Sequence, residues 1–370
     1  MPSELAIVLS GGGARAAYQV GVFSAIADKV PDLQTPFLSG VSAGAINTVT
    51  LAAHPGSFKA RVRSLRRGWS QLTIDQVYRV KIGGIPGSSI RWLAQRIIGR
   101  RKGTPVVRGV MDMEPLRDFM DQRVDLEFIG QNVEAGRLRA VTLGSTCYRT
   151  GETLTFVQGA EDLEMWHRAQ RRGVRSKLSW DHVLASAAIP ILFPAIRIGD
   201  SYYGDGSVRQ AAPLAPPIHL GAAKILAVSM RSKRREAQPI KAGEYPSSAQ
   251  VMAMLFHAIF LDALEADSER LERVNTLLRG ANGPSPTGLR PVNLLLLRPS
   301  RDLGALARPH FSRLPPMLRT IVNSIGGHKA GSADFLSYLL FDPVYTNALM
   351  ELGYGDALER WDEIERFLAE

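Results

Sequence analysis

Pro36-Phe37-Leu38-Ser39-Gly40-Val41-Ser42-Ala43-Gly44 is the stretch on which the reading of the fold depends. Pro36–Ser39 is a short apolar run and reads as a strand, and the small-residue run Ala43–Ala53 reads as a helix. Between them lies Gly40-Val41-Ser42-Ala43-Gly44, of the form G-x-S-x-G. A sharp turn from strand to helix needs small residues on both sides if the serine hydroxyl is to project from it. The pentapeptide alone is common by chance, and the alternative reading is a glycine-lined turn whose serine caps the next helix.

Moving upstream, Leu5–Leu9 reads as a buried strand that ends in Ser10-Gly11-Gly12-Gly13-Ala14-Arg15. A helix follows over Ala14–Val30, with Ala17, Val20, Gly21, Ala25 and Val30 at helical spacing. Consecutive glycines let backbone amides converge, and the helix start behind them adds its positive dipole. This is an anion site suited to a phosphate or an oxyanion. Gly11, Gly13 and Ala16 also fit the dinucleotide pattern G-x-G-x-x-A, but Asp32 lies before the next strand and not at its end. No Gly-Lys-Ser/Thr follows, so the loop is not a P-loop.

Downstream, Leu138–Leu143, Thr153–Val157, Lys224–Met230 and Val292–Leu297 read as strands. Asp181–Ala188 reads as a helix stopped by Pro190, and Ile196–Tyr203 as a hairpin turning near Gly199-Asp200. Ala249–Leu278 reads as one long helix, Gly280–Leu289 as a loop, and the tail from Ser332 as mainly helical. Strands alternating with helices predict an α/β fold with a mainly parallel sheet covered on both faces. The expected organisation is a core over residues 1–230 with a basic insertion at 59–110. A mainly helical region with one further strand, 231–370, is expected to pack on it.

Tyr203-Gly204-Asp205-Gly206-Ser207 supplies a second candidate for chemistry. Asp-Gly commonly marks a turn. An aspartate at the end of a strand can also reach a serine on another strand end. The chain has seven histidines, none in a local catalytic motif. His182, beside Asp181, is the best placed for a triad, and a structural role is the simpler reading for it. The serine follows a single earlier strand, whereas an ordinary α/β-hydrolase places its nucleophile after several.

The net charge is +10, from 45 Lys and Arg against 35 Asp and Glu. Lys59 to Arg108 alone holds thirteen basic residues against one acid, Asp75. The rest of the chain is therefore close to neutral. Within that stretch Ile90, Leu93, Ala94, Ile97 and Ile98 fall at helical spacing and are flanked by Arg96, Arg100, Arg101 and Lys102. This pattern predicts a short basic amphipathic helix, and those four residues are the candidate membrane contacts. An ordinary solvated surface helix gives the same pattern. Only Trp69, Tyr78 and Trp92 supply aromatics there, which argues against nucleic acid. The single cysteine, Cys147, excludes an internal disulfide and a cysteine zinc site. No EF-hand-type loop or other metal-ligand pattern is present, so no metal or cofactor is expected. Met1-Pro2-Ser3-Glu4 carries no basic n-region and Leu5–Leu9 is too short for a signal core. No apolar run nears the ~20 residues of a membrane span. The expectation is a cytoplasmic protein, peripheral at the inner face of the membrane.

The ordered set Gly11-Gly12-Gly13-Ala14-Arg15, Gly40-Val41-Ser42-Ala43-Gly44, Ala185-Ser186-Ala187-Ala188-Ile189-Pro190 with Phe193-Pro194, and Asp205-Gly206 resembles the patatin-like phospholipase family in its bacterial branch. The resemblance covers about the first 230 residues. It implies a three-layer α/β/α fold and a Ser42–Asp205 dyad instead of a triad. It further implies an oxyanion hole from Gly11, Gly12 and Gly13, a loop steadied by Arg15, and an elbow flanked by Gly40 and Gly44. It implies a serine acyl hydrolase acting on membrane phospholipid or another acyl lipid, without a cofactor. A non-catalytic lipid-binding or regulatory protein on the same scaffold is the alternative. The chain departs from the family at Ser207, where glycine or alanine is usual, and at Ala16, where glycine is common.

Overall fold

The computed structural model describes residues 4–80, 109–232, 245–246, 248–280, 288–316, 318–319 and 330–370. The predicted basic helix, with Arg96, Arg100, Arg101 and Lys102, lies outside the described residues. The strands in chain order are β1 (Leu5–Leu9), β2 (Phe37–Val41), β3 (Arg79–Val80), β4 (Met111–Asp112), β5 (Ala140–Cys147), β6 (Thr153–Gly159), β7 (His167–Arg168), β8 (Arg171–Arg175), β9 (Ile196–Ile198), β10 (Ser201–Asp205), β11 (Lys224–Val228) and β12 (Asn293–Leu297). The main sheet runs β12-β11-β1-β2-β5-β6-β8-β7, and β10 and β9 extend from β5. From β12 to β5 every pair is parallel. β6, β7 and β10 bring antiparallel pairs. The expected mainly parallel α/β sheet is what forms.

Both faces of the sheet are buried because successive strand residues point to opposite sides. In β1, Leu5, Ile7 and Leu9 enter one apolar cluster, while Ala6 and Val8 enter another. In β11, Leu226 and Val228 join the first, and Ile225 and Ala227 the second. The first cluster is covered by the helices α1 (Ala17–Lys29), α2 (Ala43–Ala52) and α3 (Phe58–Gln71), and by Pro343–Glu359. α1 and Pro343–Glu359 touch backbone to backbone. A Cβ on Gly21 would strike the Met350 carbonyl, and one on Gly353 the Tyr18 carbonyl. Tyr18 then donates its hydroxyl to Asp356 at 2.9 Å.

The expected single helix Ala249–Leu278 is two, Ser248–Phe260 and Asp262–Gly280, with a turn at Leu261. The two halves serve different cores. Phe256 and Phe260 lie in the first cluster and Leu264 in the second, with Leu271 packed on it. One straight helix cannot face both sides of a sheet, so the chain breaks between them. The hairpin around Gly199, at φ 58°, forms as expected, but β10 runs on to include Asp205.

Candidate active site

Register brings Ser42 and Asp205 together. β5 pairs along one edge with β6, over residues 140–146. Its other edge is shared. β2 covers it as far as Gly144, paired with Val41, and β10 covers it from Ser145, paired with Asp205. β2 is parallel to β5 and β10 antiparallel, so the two chains meet end to end. Ser42 is the residue after the last of β2, and Asp205 is the last of β10.

Ser42 sits at the predicted elbow with φ 55° and ψ −131°. A non-glycine residue rarely adopts positive φ, and holding it there costs about 1–3 kcal/mol. The neighbouring glycines permit the turn. A Cβ on Gly40 would meet Thr48 Oγ1, and one on Gly44 the Leu9 carbonyl. The Ser42 amide donates to the Ser186 carbonyl and to Ser186 Oγ, both at 3.1 Å. Ser186 Oγ in turn donates to the Gly144 carbonyl of β5 at 2.6 Å. Two residues on, the Ala188 carbonyl accepts the Asp205 amide at 2.9 Å. One short segment thus pins both the serine and the aspartate.

The Asp205 side chain is fully buried. Oδ1 accepts the Ser207 amide at 2.9 Å. Burial pushes the carboxyl up to about 6, against the pull of the Ser42 hydroxyl and of the Ser207 amide and hydroxyl. Ser207, where the sequence departs from the family it resembles, contributes a buried hydroxyl to this cluster. A methyl group on Gly11 would stand 2.8 Å from Ser42 Cβ, 2.9 Å from Ser207 Oγ and 3.5 Å from Ser42 Oγ. The glycine loop therefore passes directly over both hydroxyls. Among the described residues no hydrogen bond engages the amides of Gly11, Gly12 or Gly13.

Arg15 points away from this centre. It is 2% exposed, donates through Nε to Ser337 at 2.7 Å, and pairs with Asp334 at 3.1 Å. Its guanidinium lies 4.3 Å from the Tyr338 ring centroid. A Cβ on Gly13 would meet the Tyr338 carbonyl. The loop is thereby fastened to the helix Ala330–Leu339, which carries none of the motifs. Behind the loop, Gln19 donates to the Ser10 carbonyl at 2.9 Å, Asn47 to Gln19 at 2.8 Å, and Trp69 to Asn47 at 2.7 Å.

His182 is a structural residue. Nδ1 accepts the Ser179 amide at 3.1 Å, closing a capping box, and the ring packs edge-on against Phe156. Burial holds its pKa below the usual histidine range. No described histidine lines the cavity beside Ser42. Among the described residues no group of three or more His, Cys, Asp or Glu is placed to hold a metal ion. No described helix is long and apolar enough to cross a membrane.

Ser42 opens onto a cavity of about 310 Å³. Its walls are mainly apolar, including Ile46, Leu65, Trp69, Met113, Phe119 and Phe341. Apolar walls with a few convergent polar groups are typical of small-molecule and lipid sites. The sequence reading missed both Ser186 as a clamp and this cavity. The first was visible only as part of a motif, and the second is assembled from residues far apart in the chain.

The family model for patatin-like phospholipase matches residues 7–218. No curated protein matches the sequence. Among solved structures, VipD from Legionella pneumophila is 14% identical with a TM-score of 0.42, the alignment covering 98% of this chain and 67% of that one. Human GIVD cytosolic phospholipase A2, solved with methyl gamma-linolenyl fluorophosphonate, is 14% identical with a TM-score of 0.42, covering 100% of this chain and 58% of that one.

Proposed function

The chain belongs to the patatin-like phospholipase family, and from that premise we propose that it is a serine acyl hydrolase that cleaves fatty acyl esters through Ser42 and Asp205. The family makes it a lipid ester hydrolase at the coarse level. The observation that carries the finer reading is the end-to-end meeting of β2 and β10 on β5, which sets a strained serine beside a buried carboxylate.

In this reading the Ser42 hydroxyl attacks the ester carbonyl and passes its proton to Asp205. An ordinary carboxylate is a weak base near neutral pH; one pushed up to about 6 by burial is better matched to the task. The tetrahedral oxyanion is stabilised by amides of the Gly11–Gly13 loop. Losing one such donor in other acyl-transfer enzymes costs about 3–4 kcal/mol. Asp205 returns the proton to the leaving alcohol as the carbon–oxygen bond breaks. Water, deprotonated by the same carboxylate, then releases the fatty acid from Ser42 and regenerates both groups. The acyl chain occupies the apolar cavity.

The test compares wild type, Ser42→Ala and Asp205→Asn on a p-nitrophenyl acyl ester and on phospholipid vesicles. Both variants should fold and lose at least a thousandfold in kcat/KM. Full activity in either folded variant rejects the dyad. Binding to lipid without turnover by wild type would favour the non-catalytic alternative.

A further inference from the structure

The cavity beside Ser42 has an opening of distinct chemistry. It follows α2 from Ser42 and Ala43 through Ile46 to Thr50, about 12 Å at the helical rise. All these residues are buried. The exposed residues among the described lining are Ser64, Arg67 and Gln71 on α3 and Arg123 across from them, with Gly68 half-exposed between. The cavity therefore meets solvent between α3 and the segment around Arg123.

Among the described residues of the lining the charged groups are Arg67 and Arg123, and no carboxylate is present. Neither arginine makes an ion pair among the described residues, whereas Lys59 and Arg66 on the same helix pair with Asp28 and Glu351. Arg123 is held instead by its own neighbourhood, 3.9 Å above the Phe119 ring and donating to the Phe119 carbonyl at 3.1 Å. An apolar passage with two unneutralised guanidinium groups at its mouth matches an amphiphile whose apolar part enters and whose anionic neighbours stay outside.

We propose that the rim formed by Ser64, Arg67, Gln71 and Arg123 docks on an anionic lipid surface, so that acyl lipid passes from that surface to Ser42. This rests on the reading of Ser42 as the nucleophile and adds where substrate comes from and what it is. It also assigns the lipid contact to α3 and Arg123, residues other than the sequence-predicted contacts Arg96, Arg100, Arg101 and Lys102.

Binding is measured by flotation with vesicles of phosphatidylglycerol and phosphatidylcholine, and with phosphatidylcholine alone, at low salt. Ser42→Ala protein is used so that turnover does not enter. Wild-type sequence at the rim should favour the anionic vesicles, with the preference falling as salt is raised. Arg67→Glu with Arg123→Glu should weaken that binding at least tenfold, since each basic residue near such a surface is worth about a fivefold factor. Arg67→Lys with Arg123→Lys keeps the charge and should stay within about twofold, which separates charge from misfolding. Gly68 gives a second handle. A Cβ there meets nothing within 4 Å, so Gly68→Trp in the otherwise native enzyme should fold and narrow the mouth. It should cut hydrolysis of a long-chain ester at least tenfold more than that of a short one. Unchanged vesicle binding in the double glutamate variant overturns the proposal. So does weakening confined to monomeric dodecyl sulfate, which would make the rim a site for single amphiphiles. Either result leaves the Ser42–Asp205 reading untouched, because that stands on the activity of Ser42→Ala and Asp205→Asn.

Discussion

The elbow at Ser42 and the glycine loop above it are neighbours, yet they are held by different parts of the chain. Ser42 and Asp205 are fixed by Ser186, Ala188 and the edge of β5, all within the family-matched residues 7–218. The loop is fixed by Val228 behind Ser10 and, through Arg15 and Gly13, by Asp334, Ser337 and Tyr338. The geometry of the nucleophile is thus closed by β-sheet register. The geometry of the amides is closed by a C-terminal helix that carries no motif. A variant can therefore damage one and spare the other.

The largest effect on stability is expected where the loop is tied down. Replacing Asp334 by Ala leaves the buried Arg15 guanidinium without its charge partner, and breaking such a pair costs about 3–5 kcal/mol. Urea unfolding should register that loss. Ester hydrolysis by the remaining folded protein should drop about a hundredfold while fluorophosphonate labelling of Ser42 persists at a reduced rate. If the variant is destabilised but fully active, the loop does not depend on the C-terminal helix.

Next is Asp205→Asn, read as stability and not activity. The folded-state pKa of Asp205 is raised to about 6 from 3.8. Its contribution is therefore intact below pH about 4 and is lost as pH rises through about 6, where a buried group must ionise. Asparagine removes that cost, so the variant should be more stable than wild type at pH 8 by roughly 2–3 kcal/mol and about equal at pH 4. Thermal melts at the two pH values decide it, and equal stability at pH 8 contradicts the burial argument.

Ser186→Ala should act more gently and on the elbow alone. It removes the hydroxyl that joins the Ser42 amide to the Gly144 carbonyl, but leaves the Ser186 carbonyl in place. A loss of about 1–2 kcal/mol in stability is expected. The kinetic signature of a positioning role is a fall in kcat with KM nearly unchanged. A rise in KM alone would assign Ser186 to substrate binding instead.

The smallest effect concerns Ser207. Its hydroxyl favours the ionised form of Asp205, so Ser207→Ala should raise the carboxyl pKa. The acidic limb of kcat/KM, expected near pH 6 in the wild type, should move to higher pH. A limb that stays in place would remove Ser207 from the cluster.

Much of this was legible in the sequence. The glycine loop, the G-x-S-x-G elbow and the Asp-Gly turn follow one another in order, and each rests on local chemistry: small residues where backbone must turn sharply or approach closely. β1, β2, β5, β6, β11 and β12 announced themselves as apolar runs, whereas β8, Arg171–Arg175, is too polar to show as a strand. What stayed hidden is non-local. Arg15 meets Asp334 across more than three hundred residues. Ser186 is an ordinary helical serine until the fold sets it under Ser42. The cavity draws on Leu65, Phe119 and Phe341, whose spacing reads simply as core. The break at Leu261 obeys the need to serve both faces of the sheet, which no propensity encodes.

The most direct test of the central claim is reaction with a fluorophosphonate probe, followed by mass spectrometry of the labelled peptide. The account predicts one adduct, on Ser42, absent from Ser42→Ala and formed far more slowly in Asp205→Asn. No adduct on the folded protein, or one that survives Ser42→Ala, would contradict it.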